Sequence, residues 1–278
     1  MVTANKPKEE KFIGLIAGYG MFPLEVIGQL KARGYIVHVV AAKEETSPDI
    51  EAVADSVCWL HVGQIGGMIK ALQKAGVREV IMAGKVRKLH LFRNFRPDLV
   101  ALGALLRLPD RKDDTLMLEI TRLLAEGGIH LRSQVALAGD MLAGEGHLFG
   151  PKASKSVLQD MSFGSTQARG IAALDIGQTV VVQQGAVLAV EAIEGTDEAI
   201  QRGGTLGNGK AVVVKVAKPQ QDLRFDVPAI GPDTLRTMHE HGCVALAIQA
   251  GTTLLIERHK LAELARQWRI SIYGCNVD

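Results

Sequence analysis

The first third of the chain alternates short apolar runs with stretches in which apolar residues recur every three or four positions. Residues 12–17 (FIGLIA) are too few for a stable helix and apolar throughout, the pattern of a strand buried on both faces. Residues 22–33 carry apolar side chains at helical spacing, Gly34 closes that segment, and 36–40 (IVHVV) make a second strand. Two further short runs, 58–60 and 80–83, flank a helical stretch over 66–74. Strand, glycine turn, helix and strand in this order predict a parallel, doubly wound sheet: an α/β fold with a Rossmann-like N-terminal domain. Helices are expected over 99–108 and 115–126, joined by the polar segment 109–114 (PDRKDD).

Gly139, Gly144, Gly146, Gly150 and Pro151 then interrupt any regular period, which reads as a connection between domains. The expected organisation is a Rossmann-like domain over 1–135, a linker over 136–152 and a second α/β domain over 153–278. In that domain 154–174 reads as a helix, and 179–182 with 186–190 as a hairpin turning near Gly185. A strand over 211–216, a helix over 233–241, a strand over 244–247 and a helix over 260–268 complete it. The pattern implies some antiparallel pairing but does not specify a topology.

Composition narrows the function. Hydrophobic residues make up 47% and charged residues 22%, ordinary for a globular protein. A net charge of only +2 and 4% aromatics leave neither a bulk electrostatic nor a base-stacking basis for nucleic-acid binding, so no nucleic acid is expected as partner. Cys58, Cys243 and Cys275 are far apart and lack CxxC spacing, which argues against a zinc site or disulfide framework; Cys58 and Cys243 lie in apolar runs and read as buried structural thiols. Residues 1–11 are polar, and no apolar stretch approaches the ~20 residues of a membrane span, so a cytoplasmic location is expected.

Several segments carry chemistry. The glycines at 14, 18 and 20 follow a strand and open a helix, where backbone N–H groups and the helix dipole receive phosphate, but their spacing is not GxGxxG. Ala41-Ala42-Lys43 stands where a dinucleotide fold places its ribose-binding acid, which disfavours NAD. Ala83-Gly84-Lys85-Val86-Arg87 ends the fourth strand, so Lys85 and Arg87 are placed to neutralise a pyrophosphate at that edge. Lys112 and Asp113-Asp114 add a cation and two carboxylates near the same face. In the second half, Glu191, Glu194, Thr196 and Asp197 follow a strand, and 215–228 (KVAKPQQDLRFDVP) is densely polar. If extended, that segment puts Asp222, Arg224 and Asp226 on one face, as hard oxygen ligands for Mg²⁺ or Mn²⁺; the alternative is an internal ion pair around Arg224. The eight histidines form no HxxxH or HExxH pattern, and neither a GxSxG elbow nor a P-loop is present.

The strings GLIAGYGMFP (14–23), AGKVR (83–87), KDDTL (112–116), EAIEGTD (191–197) and KVAKPQQDLRFDVPAIG (215–231) together resemble the LpxI family of UDP-2,3-diacylglucosamine pyrophosphatases, in the same order along nearly the whole chain. Ile248-Gln249-Ala250-Gly251 departs from a Glu-Ala-Gly expected in much of that family. The resemblance implies Mg²⁺-dependent hydrolysis of UDP-2,3-diacylglucosamine to UMP and 2,3-diacylglucosamine 1-phosphate (lipid X) in lipid A biosynthesis, with Mn²⁺ as a substitute ion. It implies a homodimer through the C-terminal half, with Asp226 as the essential aspartate. A transient membrane-surface encounter at the inner membrane is the corollary of so lipophilic a substrate. On this reading the catalytic candidates are Asp226, Asp222, Arg224 and Lys215, with Asp226, Asp222 and Asp197 as metal ligands. Gly18, Tyr19, Gly20, Lys85, Lys112, Asp113, Thr196 and Lys218 are candidates for substrate contact. The competing readings are another metal-dependent sugar-nucleotide hydrolase or transferase, and a nucleotide-binding module without turnover.

Overall fold

The structure, a computed structural model, describes residues 11–87, 95–110 and 113–276. The chain divides into two compact units, Met1–Leu137 and Ala138–Asp278. In the first, strands β1 (Lys11–Ala17), β2 (Tyr35–Ala42), β3 (Ser56–Leu60), β4 (Glu79–Ala83) and β5 (His130–Leu131) form a parallel sheet in the order β3-β2-β1-β4-β5. Helices α1 (Phe22–Ala32), α2 (Ile50–Val53), α3 (Ile65–Lys74), α4 (Leu99–Arg107) and α5 (Asp113–Glu126) accompany it. The apolar runs are strands for the expected reason: Ile13, Leu15, Val37, Val39 and Ile81 are buried with Ile27 and Leu30 of α1 in one core. The strand order reverses between β1 and β4, so their carboxyl ends open a crevice where ligands bind in open α/β sheets.

The second unit is built on six strands in the order β6-β13-β11-β9-β7-β8: β6 (Gly146–Phe149), β7 (Thr179–Gln183), β8 (Ala186–Val190), β9 (Ala211–Lys215), β11 (Cys243–Gln249) and β13 (Ser271–Cys275). β9, β11 and β13 run parallel; β6 and β7 pair antiparallel at either side, and β8 pairs antiparallel with β7. β10 (Ala229–Ile230) and β12 (Leu254–Leu255) form a separate two-stranded ladder. After α6 (Gln134–Ala138), the helices are α7 (Lys155–Ala173), α8 (Thr196–Leu206), α9 (Pro232–Glu240) and α10 (Arg258–Gln267).

Period-two alternation divides the buried strand residues between two apolar layers. Val180, Val182, Val212, Val214, Ala245 and Ala247 join Met161, Ala168 and Ala172 of α7. Val181, Val213, Leu246 and Ile248 join Ile200, Leu235, Met238, Leu261 and Ala265 from the other three helices. The expected hairpin is present, with Gln184 and Gly185 at positive φ and both backbone N–H groups donating to the Asp160 carboxylate, at 2.9 and 2.8 Å.

Two expectations need correction. The segment read as a linker, 136–152, contains a 3₁₀ turn (Gly139–Met141) and the edge strand β6, in which Gly146 pairs with Gly274 in the ladder rather than ending it. β13 was not anticipated: it is short and carries Gly274, yet that glycine is required, because a Cβ there would lie 1.7 Å from the Gly144 carbonyl oxygen.

Candidate functional site

Two clusters of candidate residues exist, one in each unit. In the first unit the loops after β1 and β4 are joined at the crevice. Gly18 donates its N–H to the Ala83 carbonyl at 2.8 Å, and Tyr19 and Lys85 exchange backbone hydrogen bonds of 2.7 and 3.0 Å. The approach excludes side chains: a Cβ on Gly18 would stand 2.6 Å from the Lys85 carbonyl oxygen, and one on Gly84 2.7 Å from the Gly18 carbonyl carbon. Gly18, Tyr19, Gly20 and Lys85, read from separate strings, therefore sit together at one sheet edge. The side chains of Tyr19 and Lys85 are exposed there. Lys112 lies outside the described residues, and Asp113 begins α5 with its side chain outside them.

Arg87, expected to face phosphate, is engaged otherwise. Its Nε donates to the buried Glu45 carboxylate at 2.9 Å, and its guanidinium lies 4.2 Å from the Tyr19 ring centroid. Beside it, Glu44 meets His61. Burial opposes ionisation of Glu44, but hydrogen bonds from His61 and from backbone amides, Val62 among them, outweigh it and hold the carboxyl below its ordinary range. Acidic residues thus do follow β2, two and three positions beyond its end, and position the β4 loop through Arg87.

The second cluster occupies the edge of the other sheet where β8, β9 and β11 end and β7 begins. Lys215, the last residue of β9, is 8% exposed; its Nζ donates to Thr196 Oγ1 at 3.4 Å and to the Ala229 carbonyl at 3.1 Å. Thr196 is the first residue of α8, after Gly195, and its hydroxyl donates to Glu191 Oε1 at 3.0 Å. Thr196 thus couples two buried groups instead of capping its helix. Glu191 is 7% exposed, and its Oε2, like Gln178 Oε1 and Thr179 Oγ1, is buried with no hydrogen-bond partner among the described residues. Orphaned oxygens are costly in a protein interior, and one on a buried carboxylate that is tied through Thr196 to a buried ammonium marks a site rather than a core. Glu191 was named with Glu194, Thr196 and Asp197 as following a strand but was assigned no role at the site; its signal in the sequence is a charged residue directly after a strand of an otherwise apolar hairpin.

The acidic string is arranged differently from expectation. Asp226 N–H bonds to the Asp222 carbonyl at 2.9 Å, so the segment is a turn, and the alternation that placed Asp222, Arg224 and Asp226 on one face of an extended chain does not apply. Arg224 grips Asp222 through Nε and Nη2, the shortest contact being 2.6 Å, and this guanidinium holds the Asp222 carboxyl below its ordinary range. Asp197 is exposed in the first turn of α8, where it complements the helix dipole. Lys218 pairs with Asp175 at 2.6 Å. Among the described residues no group of three or more His, Cys, Asp or Glu side chains could hold a metal ion, so Asp226, Asp222 and Asp197 do not form a three-carboxylate centre. Gln249, where a family glutamate was expected, accepts the Ala217 N–H at 2.8 Å, a bond its amide oxygen makes as well as a carboxylate would.

Comparison with known proteins follows this division. The family model described as the LpxI N-terminal domain matches residues 12–141, and that of the LpxI C-terminal domain matches 144–273. A relative from Caulobacter vibrioides, named UDP-2,3-diacylglucosamine pyrophosphatase LpxI, is 29% identical over 273 residues, covering 94% of this chain and 96% of that one. Solved structures align weakly: a biotin carboxylase domain from Hydrogenobacter thermophilus has 15% identity and a TM-score of 0.26, over 63% of this chain and 35% of that one. A glycinamide transformylase from Mycobacterium tuberculosis has 14% identity and the same score, over 66% and 44%, and neither likeness carries an argument. With both halves matched in order, the chain belongs to the LpxI family.

Proposed function

We propose that this protein hydrolyses the pyrophosphate of UDP-2,3-diacylglucosamine, releasing UMP and 2,3-diacylglucosamine 1-phosphate for lipid A biosynthesis. The relative's name supports the substrate, and the buried Lys215–Thr196–Glu191 array supports the chemistry. Hydrolysis adds water to one phosphorus, breaks one P–O bond of the anhydride and leaves negative charge on both products. A lysine in a low-dielectric sheet edge stabilises such charge more strongly than one in water. Lys215 is held for this by Thr196 and the Ala229 carbonyl, while Glu191 fixes the Thr196 hydroxyl. The amino-terminal end of α8 contributes its dipole at the same place. Asp226 is assigned to orient the attacking water and receive its proton.

Mg²⁺, with Mn²⁺ as a substitute, is proposed as cofactor. Mg²⁺ binds through one or two carboxylates, several waters and substrate phosphates, so a three-residue cage is not required. Asp226 is the residue proposed to hold it; Asp222, committed to Arg224, does not fit. When bound, the ion neutralises charge on the pyrophosphate. At the other sheet edge, Gly18, Tyr19, Gly20 and Lys85 are proposed to receive the substrate headgroup. A homodimer through the C-terminal unit and work at the cytoplasmic face of the inner membrane complete the reading; no described helix is long and apolar enough to cross a membrane.

The test is release of UMP from UDP-2,3-diacylglucosamine with Mg²⁺, in parallel with EDTA and with Asp226→Ala. Release that stops on chelation and falls by about 100-fold or more in the variant is expected for loss of a water-activating carboxylate. No release by the unsubstituted protein with either Mg²⁺ or Mn²⁺ overturns the assignment.

A further inference from the structure

At the edge of the second sheet, one row of side chains changes from apolar to polar. Val181 of β7 pairs with Ala189 of β8 on one side and with Val213 of β9 on the other. All three lie in the apolar layer that also holds Ile200 of α8. Two residues nearer the edge, and so on the same face, stand Glu191, Thr179 and Lys215. Thr179 pairs with Lys215 in the ladder, and the Glu191 N–H donates to the Thr179 carbonyl at 2.9 Å. Thr196 lies one helical turn before Ile200, so it stands over this polar row as Ile200 stands over the apolar one.

The middle of the row is the anomaly. Thr179 is 0% exposed, and its Oγ1 has no hydrogen-bond partner among the described residues. Three valines follow it in β7, and a fourth would have nearly the same outline without burying a hydroxyl. Glu191 shows the complementary defect: Oε1 accepts from Thr196, while Oε2 is buried without a partner among those residues. Gln178 Oε1 is a third such atom, but alternation sends that side chain to the opposite face. Just before it, Gly177 packs on the Glu191 backbone, where a Cβ would stand 2.0 Å from the carbonyl oxygen.

The two orphaned oxygens are neighbours that complement each other. A hydroxyl can donate and a carboxylate oxygen can accept. Residues facing each other across a hydrogen-bonded antiparallel pair stand about 5.5 Å apart at Cα. That is about the span of two consecutive O–H···O bonds of ~2.8 Å, as one bridging water makes. Buried polar groups that lack a protein partner are characteristically satisfied by such a water.

We propose that Thr179 is a further positioning residue of this site, acting through one buried water that joins its hydroxyl to Glu191 Oε2. The water accepts from the threonine and donates to the carboxylate. Glu191 is thereby held with Oε1 toward Thr196, which sets the hydroxyl to which Lys215 donates. Thr179 itself touches no reacting atom. Its effect on turnover rests on the pyrophosphatase reading above; its link to Glu191 does not.

Two substitutions in the full chain test this: Thr179→Val removes the hydroxyl and keeps the outline, and Thr179→Ser keeps the hydroxyl. With UDP-2,3-diacylglucosamine and Mg²⁺, Thr179→Val should lower kcat for UMP release about three- to tenfold, the worth of one hydrogen bond, with KM within about twofold. Thr179→Ser should keep kcat within about twofold of the unsubstituted protein. In a Glu191→Ala background, Thr179→Val should lower kcat no further, because the group it acts on is gone. Thr179→Val alone should also lower the melting temperature, since Glu191 Oε2 loses its bridge. The proposal is overturned if valine leaves kcat unchanged or raises the melting temperature, because the hydroxyl is then only part of the packing. It is equally overturned if valine and serine lose the same activity, which reports shape, or if valine costs as much in the Glu191→Ala background. Should the unsubstituted protein release no UMP, the proposed reaction falls and melting decides the link by itself. A melting-temperature loss from valine that disappears in the Glu191→Ala background sustains it, and an equal loss in both backgrounds refutes it.

Discussion

At the scale of single residues, the informative group is Lys215 with Glu191 and Thr196. A buried ammonium is tolerated only when satisfied, and here the hydroxyl that accepts from it is itself fixed by a buried carboxylate. Glu191 is thus a positioning residue. Glu191→Ala should lower kcat for UMP release by about 10- to 100-fold, and Lys215→Ala by at least as much. The double variant should be little worse than Lys215→Ala, because the two act through one hydroxyl; a full product of the single effects in a double-mutant cycle would refute the coupling. Glu191→Gln, which keeps an acceptor for Thr196, should recover part of the loss. Cysteines behave more simply: burial pushes the Cys243 thiol up to about 12, matching its reading as structural, whereas Cys58 is only half-buried.

At the scale of elements, the junction of the β1 and β4 loops positions the first cluster. Two glycine backbones touch there because neither carries a Cβ, and Gly84 also holds φ 93°. Gly76, at φ 70° with nothing near its missing side chain, is a control in which alanine would meet backbone strain alone. Gly76→Ala should cost about 1–2 kcal/mol, the usual penalty for a left-handed alanine. Gly84→Ala should cost more, because its new methyl meets backbone that cannot swing aside. Thermal melting of the two variants compares them directly, and an equal loss would show that the loops yield without strain. Elements also show where patterns mislead. The valine runs in β7 and β9 were legible because burial on both faces demands continuous apolar residues. β6 and β13 were not, because edge or near-edge strands of four or five residues with essential glycines look like loops. The turn at 222–226 satisfied the arithmetic of alternation without being extended, since side-chain spacing alone does not report the backbone bond from Asp226 to Asp222.

At the scale of the whole molecule, each unit has its own sheet and its own buried clusters. Residues 138–278 expressed alone should therefore unfold in one cooperative thermal transition with native far-UV dichroism. A broad, non-cooperative melt would show that this unit depends on the other. The α/β class, the parallel first sheet, the hairpin at Gly185 and the strings that carry the family were all legible, because each depends on neighbours within about thirty residues: periodicity, breakers and short motifs. What the tertiary structure alone decided are the encounters across long separations. Glu191 comes to Lys215 through Thr196 because β8 and β9 end at the same sheet edge, Arg87 is drawn to Glu45 instead of to phosphate, and leucines of α4 face outward while its alanines are buried. The physical reason is that local pattern determines which way a side chain points within its own element. Which groups then share a low-dielectric space is determined only by how the elements are packed.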